Sequence, residues 1–233
     1  MPESAPDILE SDEALLLTQL LCTRLCHDLA GPVGAVAAGV ELAGGDPTQV
    51  DEETLALIGS SSAAASRKLK FLRVALGVPA TTPAAVEGLE ALVEGYLEAT
   101  AGRGGAPLLR WASPKDISTL AERLGSATAP LLLNLCLMVV EALPVCRLLE
   151  LAIVVDPVMR VSVQGHGDGQ RSTAWRADTL DAVAPVPAVA LSAKTIQPYL
   201  ARRLAERAHG RLVLQAEPPV LTAIFELMPG RRR

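Results

Sequence analysis

Aromatic residues are scarce in this chain of 233 residues. They make up 3% of it, as two Trp, two Tyr and two Phe, whereas half of all residues are hydrophobic. The interior must therefore be built from Leu, Val and Ala, which suits helical bundles and small α/β layers. A chain of this length has room for one large or two modest domains, each with a real core.

An excess of positive charge is also missing. The net charge of −5 and the isoelectric point near 5.3 argue against a nucleic-acid partner. The first residues are acidic and polar, unlike a secretory signal peptide. The four cysteines show no disulfide framework. We therefore expect a cytoplasmic protein with reduced thiols.

No apolar run is long enough to cross a bilayer. The longest spans residues 129–140, is broken by Asn134 and is followed by Glu141. A run of this length is typical of a buried helix. The sequence therefore predicts no association with a membrane.

Two long helices are predicted in the N-terminal part. The first runs from about 12 to 43, after a disordered segment 1–10, with Ser11 as its N-cap and a kink at Pro32. The second covers roughly 48–77 and carries apolar and small residues at alternating spacings of three and four, which is a heptad seam. This seam contains Leu55, Ile58, Ser62, Ala65, Leu69, Leu72 and Leu76.

The predicted fold class is α+β with two domains. A helical hairpin at residues 11–79 cannot cover both of its apolar faces, so pairing with a second copy as a four-helix bundle predicts a homodimer. Residues 80–233 alternate helices with strands of an apparently antiparallel sheet, which predicts a two-layer α/β sandwich. The glycine-rich stretch 165–169 is interpreted as a loop of that domain, with His166 exposed in it.

His27 and Asp28 are the strongest candidates for chemistry. On a helix, His27 neighbours Arg24 and Gly31, and Gly34 lies two turns on, so the imidazole sits on a polar and sterically bare strip. Glycine inside a helix costs about 1 kcal/mol relative to alanine, and close approach of another molecule would explain it. A neutral imidazole oriented by a carboxylate is nucleophilic near pH 7. An exposed histidine beside a salt-bridging aspartate is the plainer alternative.

The stretch Leu25-Cys26-His27-Asp28-Leu29-Ala30-Gly31-Pro32, followed by a second helix, resembles the H-box hairpin of two-component histidine kinases. Over residues 15–230 the chain resembles more closely the ChpT-type histidine phosphotransferases of alphaproteobacteria. The resemblance implies that His27 takes a phosphoryl group from the receiver aspartate of a CckA-like hybrid kinase. The resemblance further implies that His27 passes the group to response regulators of the CtrA and CpdR type, and that Mg²⁺ is held by the partner receiver domain.

The resemblance also implies a second domain that is a degenerate relative of the kinase ATP-binding domain and no longer binds nucleotide. Asn134 matches the first asparagine of the kinase N-box, but Met138 replaces the second, and a thioether is a poor ligand for Mg²⁺. Gly165 stands where the adenine-reading aspartate is expected. Residues 189–194 correspond to the glycine-rich phosphate lid of the kinases but contain no glycine. We expect no ATP, cofactor or metal in this chain. An active ATP-dependent kinase and a non-enzymatic dimeric scaffold remain the alternatives.

Basic residues of the hairpin are candidates for binding an acidic receiver domain. Arg24, Arg67 and Lys70 join Gly31 and Gly34 as predicted partner-binding residues, because opposite charges steer association. Lys68 and Arg73 are further candidates for steering charges. For any single cation, an ordinary solvated position is about as probable.

Two of the four cysteines lie on the first predicted helix, shortly before His27. Cys22 and Cys26 with His27 could be imagined as metal ligands, but no fourth ligand is evident. Packing of both thiols on an apolar helix stripe is the preferred interpretation.

Overall fold

A computed structural model describes residues 8–44, 51–77, 88–101, 105–155, 158–169, 173–185 and 190–228. Two long helices form a hairpin, and the remaining elements form a five-stranded sheet packed against helices. The predicted α+β fold class is therefore confirmed. The expected domain boundary after residue 79 falls outside the described residues.

The first helix, α1, spans Ile8–Ala43 and continues through Pro32. It begins before Ser11, so the predicted N-cap at Ser11 is wrong, and residues 8–10 are helical. Those three residues are Ile, Leu and Glu, none of which breaks a helix.

The second helix, α2, spans Glu52–Ala75 and begins later than the predicted residue 48. Asp51 determines this start because its side chain accepts a hydrogen bond from the backbone nitrogen of Thr54 at 2.6 Å. An N-cap of this kind satisfies a backbone donor that the helix itself leaves without a partner.

The second part of the chain alternates helices and strands. A short 3-10 turn lies between the fourth and fifth helices. The elements are α3 (Leu89–Thr100), β1 (Leu108–Arg110), α4 (Pro114–Leu124), α5 (Thr128–Ala142), β2 (Cys146–Val154), β3 (Arg160–Gly167), α6 (Ala177–Val183), α7 (Ile196–Arg207), β4 (Gly210–Glu217) and β5 (Val220–Leu227).

The five strands form one mixed sheet in the order β1-β2-β3-β5-β4. All neighbouring strands are antiparallel except β1 and β2, which are parallel. The expectation of an antiparallel sheet is therefore wrong at this edge. The chain passes through two helices between β1 and β2, and such a crossover lets the second strand run in the same direction as the first.

The glycine-rich stretch is not a loop over its first half, because residues 165–167 belong to β3. A Cβ atom at Gly165 would lie 2.5 Å from side-chain carbons of both Val139 and Leu143. Glycine here allows the strand to pack closely against α5 and the residues after it. His166 is accordingly half-buried in the strand, and its predicted exposure in a loop is wrong.

Helix α5 is the centre of the core, with every residue from Thr128 to Val139 buried. The last turns of α2 join this core through Phe71, Leu72 and Ala75. By length and composition, the segment Pro114–Ala142 could cross a membrane, but 67% of its most apolar window is buried inside the protein. The part of this segment that forms α5 is the buried helix that the sequence predicts.

A smaller apolar cluster joins the hairpin to the sandwich. Leu17, Leu20 and Leu21 of α1 pack against Ile196 and Tyr199 of α7. The Tyr199 hydroxyl also donates a hydrogen bond to a carboxylate oxygen of α1 at 3.0 Å. These contacts bring the start of α7 beside the helix that carries the candidate histidine.

Candidate functional site

His27 projects from the middle of α1 into solvent, with 86% of its side chain exposed. Its Nδ1 atom lies 3.3 Å from a carboxylate oxygen of Asp28. Because a carboxylate can only accept a hydrogen bond, this contact favours the tautomer with its proton on Nδ1. The lone pair is then on Nε2, where an incoming group can reach it.

Asp28 is itself held in place by Arg24. Its second oxygen lies 3.4 Å from Nε of Arg24, one turn earlier on α1. The Arg24 guanidinium also pairs with Glu141 in the last turn of α5. A continuous line of polar contacts therefore runs from His27 through Asp28 and Arg24 into the sandwich domain.

Arg24 is predicted to be a surface charge that binds a partner, but the structure places it in the interior. It is 8% exposed, because it lies between α1 and α5. Burial lowers the pKa of its guanidinium, but Glu141 and Asp28 together hold that pKa above its ordinary value. Burial raises the pKa of Glu141, and Arg24 opposes that rise. Arg24 thus joins α1 to α5, and its charge is paired with Asp28 and Glu141 within the chain.

The two predicted glycines on the strip beside His27 face open space. A Cβ atom at either Gly31 or Gly34 would meet no atom within 4 Å. Gly39, further along α1, is different: a Cβ there would lie 2.5 Å from the side chain of Ile58. Packing within the chain thus explains Gly39 but not Gly31 or Gly34.

The predicted cations of α2 fall on different sides of that helix. Lys68 reaches the site, since its Nζ lies 3.4 Å from the backbone oxygen of Asp28. Arg67 instead pairs with Glu98 of α3 at 3.3 Å. Lys70 is exposed on α2, and its role in partner binding stays a prediction.

A cavity of about 370 Å³ opens beside the imidazole. His27 and Asp28 line it from α1, and Lys194 lines it from the turn before α7. A neighbouring cleft of about 200 Å³ shares Lys194, Arg24 and Glu141 with it. The candidate nucleophile is therefore flanked by residues of both domains.

The asparagine that resembles the kinase N-box has a structural use. Asn134 is fully buried, and its Nδ2 donates to the backbone oxygens of Ala75 at 2.6 Å and Pro130 at 2.8 Å. Nε2 of Gln197 donates to the backbone oxygen of Asn134 at 3.0 Å and to its side-chain Oδ1 at 3.3 Å. The side chain thus ties α2, α5 and α7 together, and its donors are occupied by backbone carbonyls.

Both cysteines of α1 are exposed, so the predicted packing of Cys22 and Cys26 on an apolar stripe is wrong for the single chain. The buried side of α1 at this level is formed by Arg24, with Leu21 and Leu25 partly buried beside it. Among the described residues, no group of three or more His, Cys, Asp or Glu side chains could hold a metal ion.

Comparison with known proteins identifies the family. The model for the C-terminal domain of histidine phosphotransferases matches residues 88–219, more than half of the chain. The chain belongs to the histidine phosphotransferase family. The resemblance to ChpT-type proteins, first seen in the H-box, is thereby confirmed.

Two individual proteins that are similar to this chain agree with this assignment. The protein phosphotransferase ChpT of Brucella abortus (strain 2308) is 48% identical over 64 residues, which cover 28% of this chain and 30% of that protein. The match thus spans less than a third of that relative. A solved structure of a bacterial phosphotransferase is 27% identical, with a TM-score of 0.68 over 91% of this chain and 96% of its own.

Two residues of this candidate site, Glu141 and Lys194, are not predicted from the sequence. Glu141 was noted only as the end of an apolar run, although a charge next to such a run is a signal for a buried ion pair. Lys194 was noted only within a stretch without glycine. Both lie far from His27 in sequence, and their proximity depends on how α1 packs against α5 and α7.

Proposed function

We propose that this phosphotransferase relays phosphoryl groups between proteins through His27. The donor would be the receiver aspartate of a CckA-like hybrid histidine kinase, and the acceptors would be response regulators of the CtrA and CpdR type. The observation that carries the proposal is the exposed imidazole of His27, with Nδ1 facing Asp28 and Nε2 free on a strip without bulky neighbours.

In the first transfer, the lone pair of Nε2 attacks the phosphorus of the receiver's aspartyl phosphate. An N–P bond forms, the P–O bond to the aspartate breaks, and its electron pair returns to that carboxylate. The proton on Nδ1 stays on the ring, where Asp28 stabilises the positive charge. Transfer to the second receiver reverses these steps. Mg²⁺ is expected on the receiver, so this chain supplies a positioned nucleophile.

The proposed relay does not use ATP held by this chain. Asn134 is buried against backbone carbonyls, and Met138 stands where a kinase would offer a second amide. An aspartate in place of Gly165 would collide with Val139 and Leu143. These contacts support a domain whose kinase-like positions serve packing.

We also infer that two copies pair through their hairpins. Large apolar side chains are exposed along α1 and α2, and contiguous apolar surface of this kind marks protein interfaces. They are Leu15, Leu16, Val33, Val40, Leu42, Leu55, Leu57 and Leu69. We assign the protein to the cytoplasm, where its exposed thiols stay reduced.

The relay is tested with a receiver domain radiolabelled on its aspartate. Wild type should take up the label, and His27→Gln should take up none, because the glutamine amide is no nucleophile. His209→Asn is the matched control: His209 is exposed and has a φ of 56°, which asparagine tolerates. Undiminished labelling of His27→Gln contradicts the proposal.

Pairing is tested by sedimentation of the double variant Leu55→Lys, Leu69→Lys. Wild type should sediment as a dimer of 24.4 kDa chains and the variant as a monomer, because two charges per chain would be buried without partners. Leu108→Lys is the control, since Leu108 is 74% exposed on β1. A wild-type monomer would contradict the inferred pairing.

A further inference from the structure

Lys194 is a basic residue of the sandwich domain that shares a cavity with His27. It lies in the turn before α7 and lines the same 370 Å³ cavity as His27, Asp28 and Glu141. Its own domain makes no use of it for packing, because the side chain is exposed. A cation from one domain is thus presented toward the candidate nucleophile of the other.

The backbone that carries Lys194 is fixed. The nitrogen of Ser192 donates to Oγ1 of Thr195 at 2.9 Å, and the nitrogen of Lys194 contacts the Ser192 hydroxyl at 3.3 Å. Thr195 is 3% exposed, and Ile196 directly after it packs against α1. The turn is therefore held against α1, and the Lys194 side chain begins from a defined position.

Charge in the cavity gives this lysine a purpose. Two carboxylates, Asp28 and Glu141, lie close to His27, and Arg24 is buried between them and paired with both. A phosphoryl group on His27 would add a charge of roughly −1.5 to −2 at pH 7. Lys194 forms no ion pair within the described part of the chain. Its charge acts on Asp178, but that carboxylate is already paired with Arg176 at 2.7 Å, so the Lys194 ammonium can also meet the phosphoryl charge.

We propose that Lys194 contacts the phosphoryl oxygens while the group is bound to Nε2 of His27 and while it is transferred. This proposal rests on the proposed function and adds a catalytic residue from the sandwich domain. The N–P bond forms and breaks as described above. The ammonium keeps its protons and only donates hydrogen bonds to the phosphoryl oxygens, where negative charge is greatest.

The test uses phosphoramidate, a small donor that needs no protein docking surface. Its P–N bond breaks, ammonia leaves, and the phosphoryl group passes to His27. Labelling of the full-length protein is followed by intact mass spectrometry. Lys194→Gln should slow labelling about tenfold, as expected for loss of one charged donor at a partly exposed site. Lys194→Arg should restore most of the rate.

Two controls separate the possible outcomes. Lys115→Gln, an exposed lysine on α4, should label like wild type, and all variants should keep the wild-type unfolding midpoint. Equal phosphoramidate rates for Lys194→Gln and wild type overturn the proposal, even if transfer from a receiver slows, because Lys194 would then act only in docking. Slowing that Lys194→Arg does not relieve also counts against it. Labelling of His27→Gln at the wild-type rate would instead overturn the relay itself.

Discussion

The two residues that resemble kinase motifs, His27 on the hairpin and Asn134 on α5, differ in exposure to solvent. His27 on the hairpin has 86% of its side chain exposed, whereas Asn134 at the centre of the sandwich is fully buried. A nucleophile that meets another protein needs open surface, while a nucleotide site needs polar groups that line a cavity. In this chain the imidazole of His27 lies on open surface, and the amide of Asn134 is used in internal hydrogen bonds.

The largest expected effect on stability is in the sandwich. Asn134→Asp should lower the free energy of unfolding by about 3 kcal/mol, because a carboxylate cannot donate to the oxygens of Ala75 and Pro130 and is buried against them. Gln19→Glu, the same chemical change at an exposed position of α1, should cost less than about 0.5 kcal/mol. Urea denaturation measures both.

The contrast between His27 and Asn134 fails if Asn134→Asp lowers the free energy of unfolding no more than Gln19→Glu does. Asn134 would then be a ligand residue that faces solvent, as in a nucleotide-binding domain. A loss of stability in Asn134→Asp that disappears at low pH agrees with burial of Asn134 as a donor, since the protonated acid can again donate a hydrogen bond.

An intermediate effect is expected at the junction of the two domains. Arg24→Met should lower stability by about 1–2 kcal/mol, because Glu141 loses its partner, although a third of the Glu141 side chain remains exposed. The variant should also slow transfer, since Asp28 loses the contact that holds it beside His27.

This loss should depend on pH. Burial already raises the pKa of Glu141, and without Arg24 that pKa rises further. A carboxyl group whose pKa is higher in the folded state stabilises the fold when protonated, and this contribution is lost as pH rises through the folded pKa. Denaturation should therefore show a larger deficit at about pH 8 than at about pH 5. A deficit independent of pH would mean that Glu141 is not the group left without a partner.

The smallest expected change in stability is on the hairpin, and it is a gain where the other two are losses. Gly31→Gln should raise stability by about 0.5 kcal/mol, because glutamine is the better helix former and its Cβ meets nothing within 4 Å. The same substitution should slow transfer from a receiver at least about tenfold, by filling the bare strip beside His27.

Gly59 on α2 offers a matched control, since a Cβ there also meets nothing within 4 Å. Gly59→Gln should gain similar stability and transfer normally. Normal transfer by Gly31→Gln would show that no partner backbone approaches this strip.

Local patterns predicted most of the elements. Periodicity and turn residues predict the hairpin and the apolar helix α5, because each depends on residues close in sequence. Helix α4 was missed although Ser113 and Pro114 are a typical helix start. The sequence predicts a loop at residues 165–167 because glycine disfavours strands, and only close packing against α5 explains the strand that is found there.

The reactive residue could be predicted from sequence, but its surroundings could not. His27 and Asp28 are adjacent, so a helix places them together. Arg24 was expected at the surface because its partner Glu141 lies on another domain. The same reason hid Lys194, whose position beside His27 depends on the contact of Ile196 with α1. Contacts between domains follow from packing of whole elements, which no local pattern records.

The most direct test of the account is to identify the atom that carries the phosphoryl group. Wild-type protein is mixed with a phosphorylated receiver domain and examined by phosphorus NMR. We expect one phosphohistidine signal, from the isomer substituted at Nε2, and no such signal from His27→Gln. A signal from the Nδ1 isomer, or from any residue other than His27, would contradict it.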